Sequence, residues 1–332
     1  MTTFTTKESL RKAIKNYFNG SNTDDISNWD TSQITDMSEL FEELNQISVK
    51  PITLNWNTSN VTNMRHMFYN CKQDFILNFD TGNVTNMEGM FDEAYTFNQP
   101  LLFNTSKVTN MNCMFCYAND FNQPLLFDTS NVTDMHRMFN GAKHFNQPLN
   151  FNTSNVKDMS WMFSAAKNFN QPLNFRRHSG GSIYAADHSA VGNECLTALC
   201  NTSNVTNMSG MFERAYNFNQ PLHFDTRAVK NMNCMFRNAI IFNQPLNFDT
   251  SNVKYMTYMF SDASAFNQPI YFQANDKDNY RDIFKNSQME GQENKYVLEP
   301  PFYSKLLLFY TLNQINPELL YLCDDFEDYI KV

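Results

Sequence analysis

FNQPLNFNTSNVKDMSWMFSAAKN, residues 145–168, is the stretch whose reading decides the fold. Nearly the same string begins at Phe97, Phe121, Phe145 and Phe169, 24 residues apart, and resumes at the same spacing from Phe218, Phe242 and Phe266. The unit can be written F-N-Q-P-L-x-F-[DN]-T-S-x-V-x-x-M-x-x-M-F-x-x-A-x-x. A fixed period of this length marks a solenoid or array of small structural units.

Two periodicities run through the unit. Leu149 and Phe151 are one residue apart, so on an extended segment they share a side. Val156, Met159, Met162, Phe163 and Ala166 follow a spacing of three or four, as do Val132, Met135, Met138, Phe139 and Ala142. That spacing predicts the stripe of a short helix. Over so few residues, Val156 to Met159 stays open between helix and extended chain. Asn-Thr-Ser supplies turn and cap side chains, and Pro148 stops a helix before the next strand. One unit cannot bury its stripe alone, whereas stacked units share a continuous core. The predicted fold is therefore a repeat solenoid of short parallel strands and short helical turns, with helical caps at both ends. The stripe absorbs much of the 31 Phe and 19 Met. Core packing is its expected role, Met being a flexible gap filler.

Composition narrows the function classes. The chain of 332 residues carries a net charge of −9 and no basic stripe, which argues against nucleic-acid binding. No run reaches the length of a membrane span. The first residues, MTTFTTKESLRKAIKNYF, lack the apolar stretch of a secretory signal. Seven cysteines, Cys71, Cys113, Cys116, Cys195, Cys200, Cys234 and Cys323, are irregularly spaced. Cys113 and Cys116 form a C-x-x-C, a spacing seen in zinc and redox sites. No second pair completes a tetrahedral site, and both fall in columns that vary between copies, so zinc is not expected. Free thiols fit a reducing compartment.

Three segments follow. Residues 1–20 should form a capping helix, with Thr5 and Glu8 as a capping box and Leu10, Ala13, Ile14, Tyr17 and Phe18 on one face. Residues 21–273 should form a solenoid of about ten coils, Trp29 and Trp56 taking the Phe column in the first two. Within it, 176–200 (RRHSGGSIYAADHSAVGNECLTALC) lacks the pattern. It reads as a degenerate repeat, a functional insertion or an out-of-frame stretch. Its length, close to one period, favours decay or frame disturbance over a dedicated site. His178, Asp187, His188 and Cys195 there match no catalytic motif, and Gly180-Gly181-Ser182 lacks the lysine and spacing of a phosphate loop. Residues 274–332 are expected to form a linker, a short helix at 280–285, and a cap with helices near 304–312 and 317–322.

The repeated polar columns have structural explanations. Asn98, Asn122, Asn146, Asn170, Asn219, Asn243 and Asn267 should stack as a ladder serving backbone at coil corners. Asp80, Asn104, Asp128, Asn152, Asp225 and Asp249 share a column in which Asn replaces Asp freely. That position does not need charge, which argues against calcium and acid–base work. The N-x-[ST] matches, such as Asn131 and Asn204, arise from the repeat itself. No catalytic residue, cofactor or metal is expected, and the chain reads as non-enzymatic. Partner recognition would reside in the variable pair after the first Met. There His136, Arg137 and Trp161 fall on neighbouring coils, a composition suited to a binding hot spot. Lone exposed side chains are also ordinary surface.

ISNWDTSQITDMSELF and the units carrying FNQPL, DTSNVTNM and GMF resemble the BspA-like leucine-rich repeat family, with its mycoplasma surface-lipoprotein-type repeats. TKESLRKAIKNYF is similar to the leader segment that precedes those repeats. The resemblance spans roughly residues 5 to 273. It implies a leucine-rich-repeat-like solenoid, a role in adhesion or protein interaction, and no catalytic residue. The wording FNQPLNFDTSNV is most similar to the giant-virus paralogues, which implies a viral protein of the host cytoplasm or virion engaging a host protein. A structural or self-assembling component is the alternative, and a hydrolase or metalloenzyme centred on 176–200 a third.

Overall fold

The computed structural model describes residues 2–42, 44–45, 50–173, 201–273, 277–292 and 296–299. A single α-helix lies among them, α1 at Lys7–Phe18. Its N-cap is Thr6, extended, whose hydroxyl accepts the Ser9 N–H at 3.2 Å. The cap therefore falls one residue after the Thr5–Glu8 box read from the sequence, because Ser9 occupies the third helical position. Leu10 and Ile14 are fully buried. Arg11 pairs with Glu42 at 2.9 Å and Lys7 with Asp36 at 3.5 Å, fastening the helix to the first coil. Backbone of residues 2–4 lies beside Asp30, with Phe4 N–H donating to Asp30 O at 2.9 Å and Asp30 N–H to Thr2 O at 2.9 Å. The apolar end of the first coil is thereby covered, with Phe4 and Tyr17 against Trp29.

The molecule is a repeat protein whose successive repeats stack side by side. Val156, Met159, Met162, Phe163, Ala166 and Phe169 have no exposed surface, and their equivalents in the neighbouring repeats are buried too. Two of the three Phe of each regular repeat form adjoining parallel columns. Phe139 lies 5.7 Å from Phe163 and Phe145 lies 6.0 Å from Phe169, with rings 4° and 7° from parallel. Phe139 and Phe145 join the columns at 4.2 Å. Offset stacks of this kind add about 0.5–1.5 kcal/mol per pair beyond burial.

The expected helical turns are not helices. Met162 N–H donates to Met159 O at 3.3 Å, Ser164 to Trp161 O at 3.1 Å and Ala166 to Phe163 O at 3.1 Å, so each bond spans three residues. The intervening donors leave the coil. Met159, Trp161, Phe163 and Ala165 N–H donate to Asn207, Ser209, Met211 and Glu213 O of the next one, at 3.0, 2.8, 2.9 and 2.7 Å. Trp161 and Ala165 have φ of 59° and 54°. Positive φ at the third residue, following negative φ at the second, is the pattern of a type II turn. Two consecutive turns reproduce the three-or-four spacing of a helix while releasing every second N–H to the neighbour. A helix would have kept those donors to itself.

Strands are fewer than predicted. β1 (Ile52–Leu54) and β2 (Phe75–Leu77) pair in parallel, as do β3 (Ile270–Gln273) and β4 (Tyr296–Glu299). Elsewhere the repeats touch through single bridges such as Asp134–Asp158 and Leu149–Leu173. Proline explains the difference. Pro100, Pro124, Pro148 and Pro172 stand where β1 and β2 carry Thr53 and Ile76, and proline has no N–H to give a ladder.

Side chains supply the missing links. Each Asn of the FNQP ladder accepts, through Oδ1, the backbone N–H of the next ladder Asn, from Asn98–Asn122 to Asn243–Asn267, at 2.9 Å throughout. The buried Thr129 and Thr153 hydroxyls donate forward to Asn152 O and Asn201 O. In the Asp/Asn column, Asp128 Oδ1 accepts the Ser130 N–H and Asn152 Oδ1 the Ser154 N–H, at 2.9 and 3.0 Å. Asp and Asn both offer that oxygen, which accounts for their exchange.

One boundary differs from the sequence reading, and one stretch of it falls outside the described residues. The coil of residues 145–168 packs directly on residues 201–217, where Phe163 meets Phe212 at 5.8 Å and Asp158 bridges Asn207, and Phe169 meets Phe218, the start of the following copy, at 6.0 Å. The described coils on either side of 176–200 thus pack directly on each other, and the stretch itself lies outside the described residues. The stack also continues past Gln273. Tyr258, Phe260 and Asp262 N–H donate to Arg281, Ile283 and Lys285 O, and Phe260 stacks on Phe284 at 5.7 Å. Residues 277–280 form a short 3-10 turn and 281–286 repeat the double turn, in place of a helix at 280–285. The helices expected near 304–312 and 317–322 fall outside the described residues.

Candidate functional site

The double turns align in register, so their left-handed residues form two rows across the stack. One row runs Glu39, His66, Gly89, Cys113, Arg137, Trp161, Gly210, Cys234, Tyr258. The second runs Asn70, Glu93, Tyr117, Gly141, Ala165, Arg214, Asn238, Asp262. The rows carry the residues that vary from coil to coil, and a backbone locked by bonds to both neighbours holds them.

Arg137 and Trp161 occupy the same position of adjacent coils, and His136 immediately precedes Arg137. Arg137 N–H donates to Ser160 O at 3.0 Å, fixing the two coils together at this point. Arg137 is exposed, whereas His136 and Trp161 are half-buried. The three expected residues are therefore neighbours, but only Arg137 projects freely. His136 Nδ1 lies 2.7 Å from Ser160 Oγ, and Ser160 Oγ bonds Asp158 Oδ1 at 2.5 Å. An ionised carboxylate only accepts, so the serine proton goes to Asp158 and His136 supplies the Nδ1 proton. Burial pushes the His136 pKa below its usual value, Arg137 adds to the effect and Asp158 opposes it. Burial thereby favours the neutral imidazole. Ser160 is buried at 1% exposure, so this Asp–Ser–His series braces two coils and offers no nucleophile.

Trp161 is held by an absence. A Cβ placed on Gly210 would come within 2.6 Å of the indole Cδ2 and Cε3, so the ring lies flat over that glycine. His66 covers Gly89 and Tyr117 covers Gly141 in the same way. The sequence reading overlooked these glycines. Gly89 and Gly210 recurring in one column, and Gly141 sharing the other with Asn70, Asn238 and Asp262, were the available signal, since Gly, Asn and Asp tolerate positive φ best.

Among the described residues, no group of three or more His, Cys, Asp or Glu side chains is gathered as for a metal ion. No helix there is long and apolar enough to cross a membrane. His178, Asp187, His188 and Cys195 lie outside the described residues. No curated protein and no solved structure matches the chain significantly. A family model matches three consecutive stretches, residues 8–103, 101–180 and 186–296, the last reaching beyond Gln273 as the stack does. The chain belongs to this repeat family, described as "Mycoplasma protein of unknown function, DUF285".

Proposed function

We propose that the chain is a non-enzymatic interaction scaffold, a solenoid of the BspA-like leucine-rich-repeat type that engages a protein partner through its double-turn face around His136, Arg137 and Trp161. One observation carries the reading: the residues that differ between repeats line up in rows on one rigid face, while the invariant ones are consumed by core and ladders. A pre-ordered surface of this kind loses little conformational freedom on binding. The wording of the repeats supports kinship with the giant-virus paralogues. On that reading the partner is a host protein and the location the host cytoplasm or the virion.

The alternative, a structural or self-assembling component, needs an open coil edge. Residues 2–4 and α1 cover that edge at the N-terminal side. The test is affinity capture from the presumed host's lysate with the intact protein and with the His136, Arg137 and Trp161 triple-alanine variant, both shown to be folded. A protein retained by the first and lost by the second supports the reading. Equal retention removes this face. Self-association without a partner favours the structural alternative.

A further inference from the structure

Cys113 and Cys116 enclose one of the turns. Cys116 N–H donates to Cys113 O at 3.0 Å, closing residues 113–116 into a four-residue turn. The ends of such a turn lie within about 7 Å at Cα, inside the span that a disulfide bridges. The side chains of the two cysteines are neighbours, and both thiols are free. Their surroundings differ. Cys113 sits half-buried at the left-handed position, with φ of 55°. Cys116 is 4% exposed and packs between Asn140 of the next coil, at 3.9 Å, and Asp92 of the preceding one. The Cys116 thiol donates to Asn140 Oδ1 at 3.9 Å, the Asp92 carboxyl neighbours it from the preceding coil, and Glu93 N–H donates to Cys116 O at 2.7 Å. An accessible thiol, a buried thiol beside it and a carboxylate against the buried one are the parts of a two-step exchange.

We propose that Cys113 and Cys116 form a reversible dithiol–disulfide site that reacts with low-molecular-weight disulfides, with Asp92 as its proton acceptor. The Cys113 thiolate attacks one sulfur of a small disulfide, forming a mixed disulfide and releasing one small thiolate. Cys116 passes its proton to the Asp92 carboxylate and attacks the Cys113 sulfur. The bond from Cys113 to the small thiol breaks, and a second small thiolate leaves. Two protein thiols are oxidised to one disulfide, and the small disulfide is reduced to two thiols. Asp92 returns its proton to water.

Charge at the site suits this division of labour. Burial, with Glu93 adding to it, pushes the Asp92 carboxyl up to about 7, while the neighbouring Cys116 thiol and the Arg137 guanidinium draw it down. A carboxylate of that basicity is a useful acceptor near neutrality. The Cys116 thiol is held protonated by its contact with Cys113 and by burial, so it needs such an acceptor. Cys234 provides an internal comparison. It takes Cys113's position in its own coil and is likewise half-buried, but Arg237 stands where a second thiol would be.

The test treats the folded, reduced full chain with oxidised glutathione, traps remaining thiols with iodoacetamide and maps the peptides by mass spectrometry. The expected product is a 113–116 peptide two hydrogens lighter, with no glutathione retained, while Cys234 shows at most a mixed disulfide. Cys116→Ser should stop at a stable glutathione adduct on Cys113, and Cys113→Ser should give neither product. Asp92→Asn should slow closure at pH 7 by about a hundredfold, as loss of a proton acceptor does, without slowing formation of the Cys116→Ser adduct. Wild-type protein that keeps both thiols reduced, or that halts with glutathione on Cys113, would overturn the proposal. Closure at an unchanged rate in Asp92→Asn would remove the carboxylate's role.

Discussion

Gly210 should be replaceable only when Trp161 is absent. In Gly210→Ala the new methyl meets the indole at 2.6 Å, so the ring must move by nearly 1 Å to reach ordinary contact. The backbone contributes separately, since φ at Gly210 is 60°. Left-handed geometry costs a non-glycine residue about 1–2 kcal/mol, and the low end applies because Arg137, Cys234 and Tyr258 adopt it in the same row. Displacing a packed ring adds about 1–3 kcal/mol. Gly210→Ala should therefore destabilise wild type by about 2–4 kcal/mol and the Trp161→Ala protein by only about 1 kcal/mol. The coupling is the difference, about 1–3 kcal/mol. Urea unfolding of the four proteins measures it. Acrylamide quenching reports the ring directly, because Trp29 and Trp56 are each only 2% exposed and Trp161 is the accessible indole. Equal costs in both backgrounds, or unchanged quenching in Gly210→Ala, would refute the packing of Trp161 on Gly210.

Further expectations follow from the same architecture. Phe163→Ala removes a fully buried ring stacked on Phe139 and Phe212 and should cost about 3–5 kcal/mol in urea unfolding; a cost below 1 kcal/mol would contradict the continuous column. Thr153→Val leaves the Asn201 carbonyl without its buried donor and should cost about 1–3 kcal/mol, with Thr153→Ser retaining most of it in the same assay. Deleting 176–200 restores the regular spacing between Phe169 and Phe218 and should leave thermal unfolding of the stack nearly unchanged; loss of cooperative unfolding would show that the stretch is needed. Asp92 has a folded pKa raised from 3.8 to about 7, so the folded state holds more protons than the unfolded one between those values. Stability should fall as pH rises through that window. Asp92→Asn should flatten the decline, and a wild-type profile identical to the variant's would count against the buried carboxyl.

Much of this could be read from the residues. The period, the buried columns, the Asn ladder, the uncharged use of the Asp/Asn column and the capping helix all follow from side chains recurring at fixed places. The double turn did not, because Met159, Met162, Phe163 and Ala166 satisfy helical spacing equally well, and only the glycines beneath His66, Tyr117 and Trp161 disclose the left-handed backbone. The last coil was hidden by substitution: Tyr280 and Ile283 replace the usual two Met, and only Phe284 keeps the pattern. The seat of Trp161 over Gly210 was not legible, because the glycine belongs to a neighbouring coil and no single repeat displays the pair. The pairing of Asp92 with Cys116 likewise joins two coils, so neither repeat alone suggests it.

The stretch between Leu173 and Asn201 also says something about how such a chain can change. Its flanks are pinned on both sides, Leu173 to Leu149 and Asn201 to Thr153. The stack therefore registers only that the two ends meet. Holding those ends together costs only about 0.6 kcal/mol more for each doubling of the excursion. A corner of this kind is a socket, where added length reaches the core only through that closure cost. The same corner recurs in every regular repeat, at a new height along the stack. The architecture can thus acquire or discard appendages one at a time, and its evolution need not pass through an unfolded ancestor.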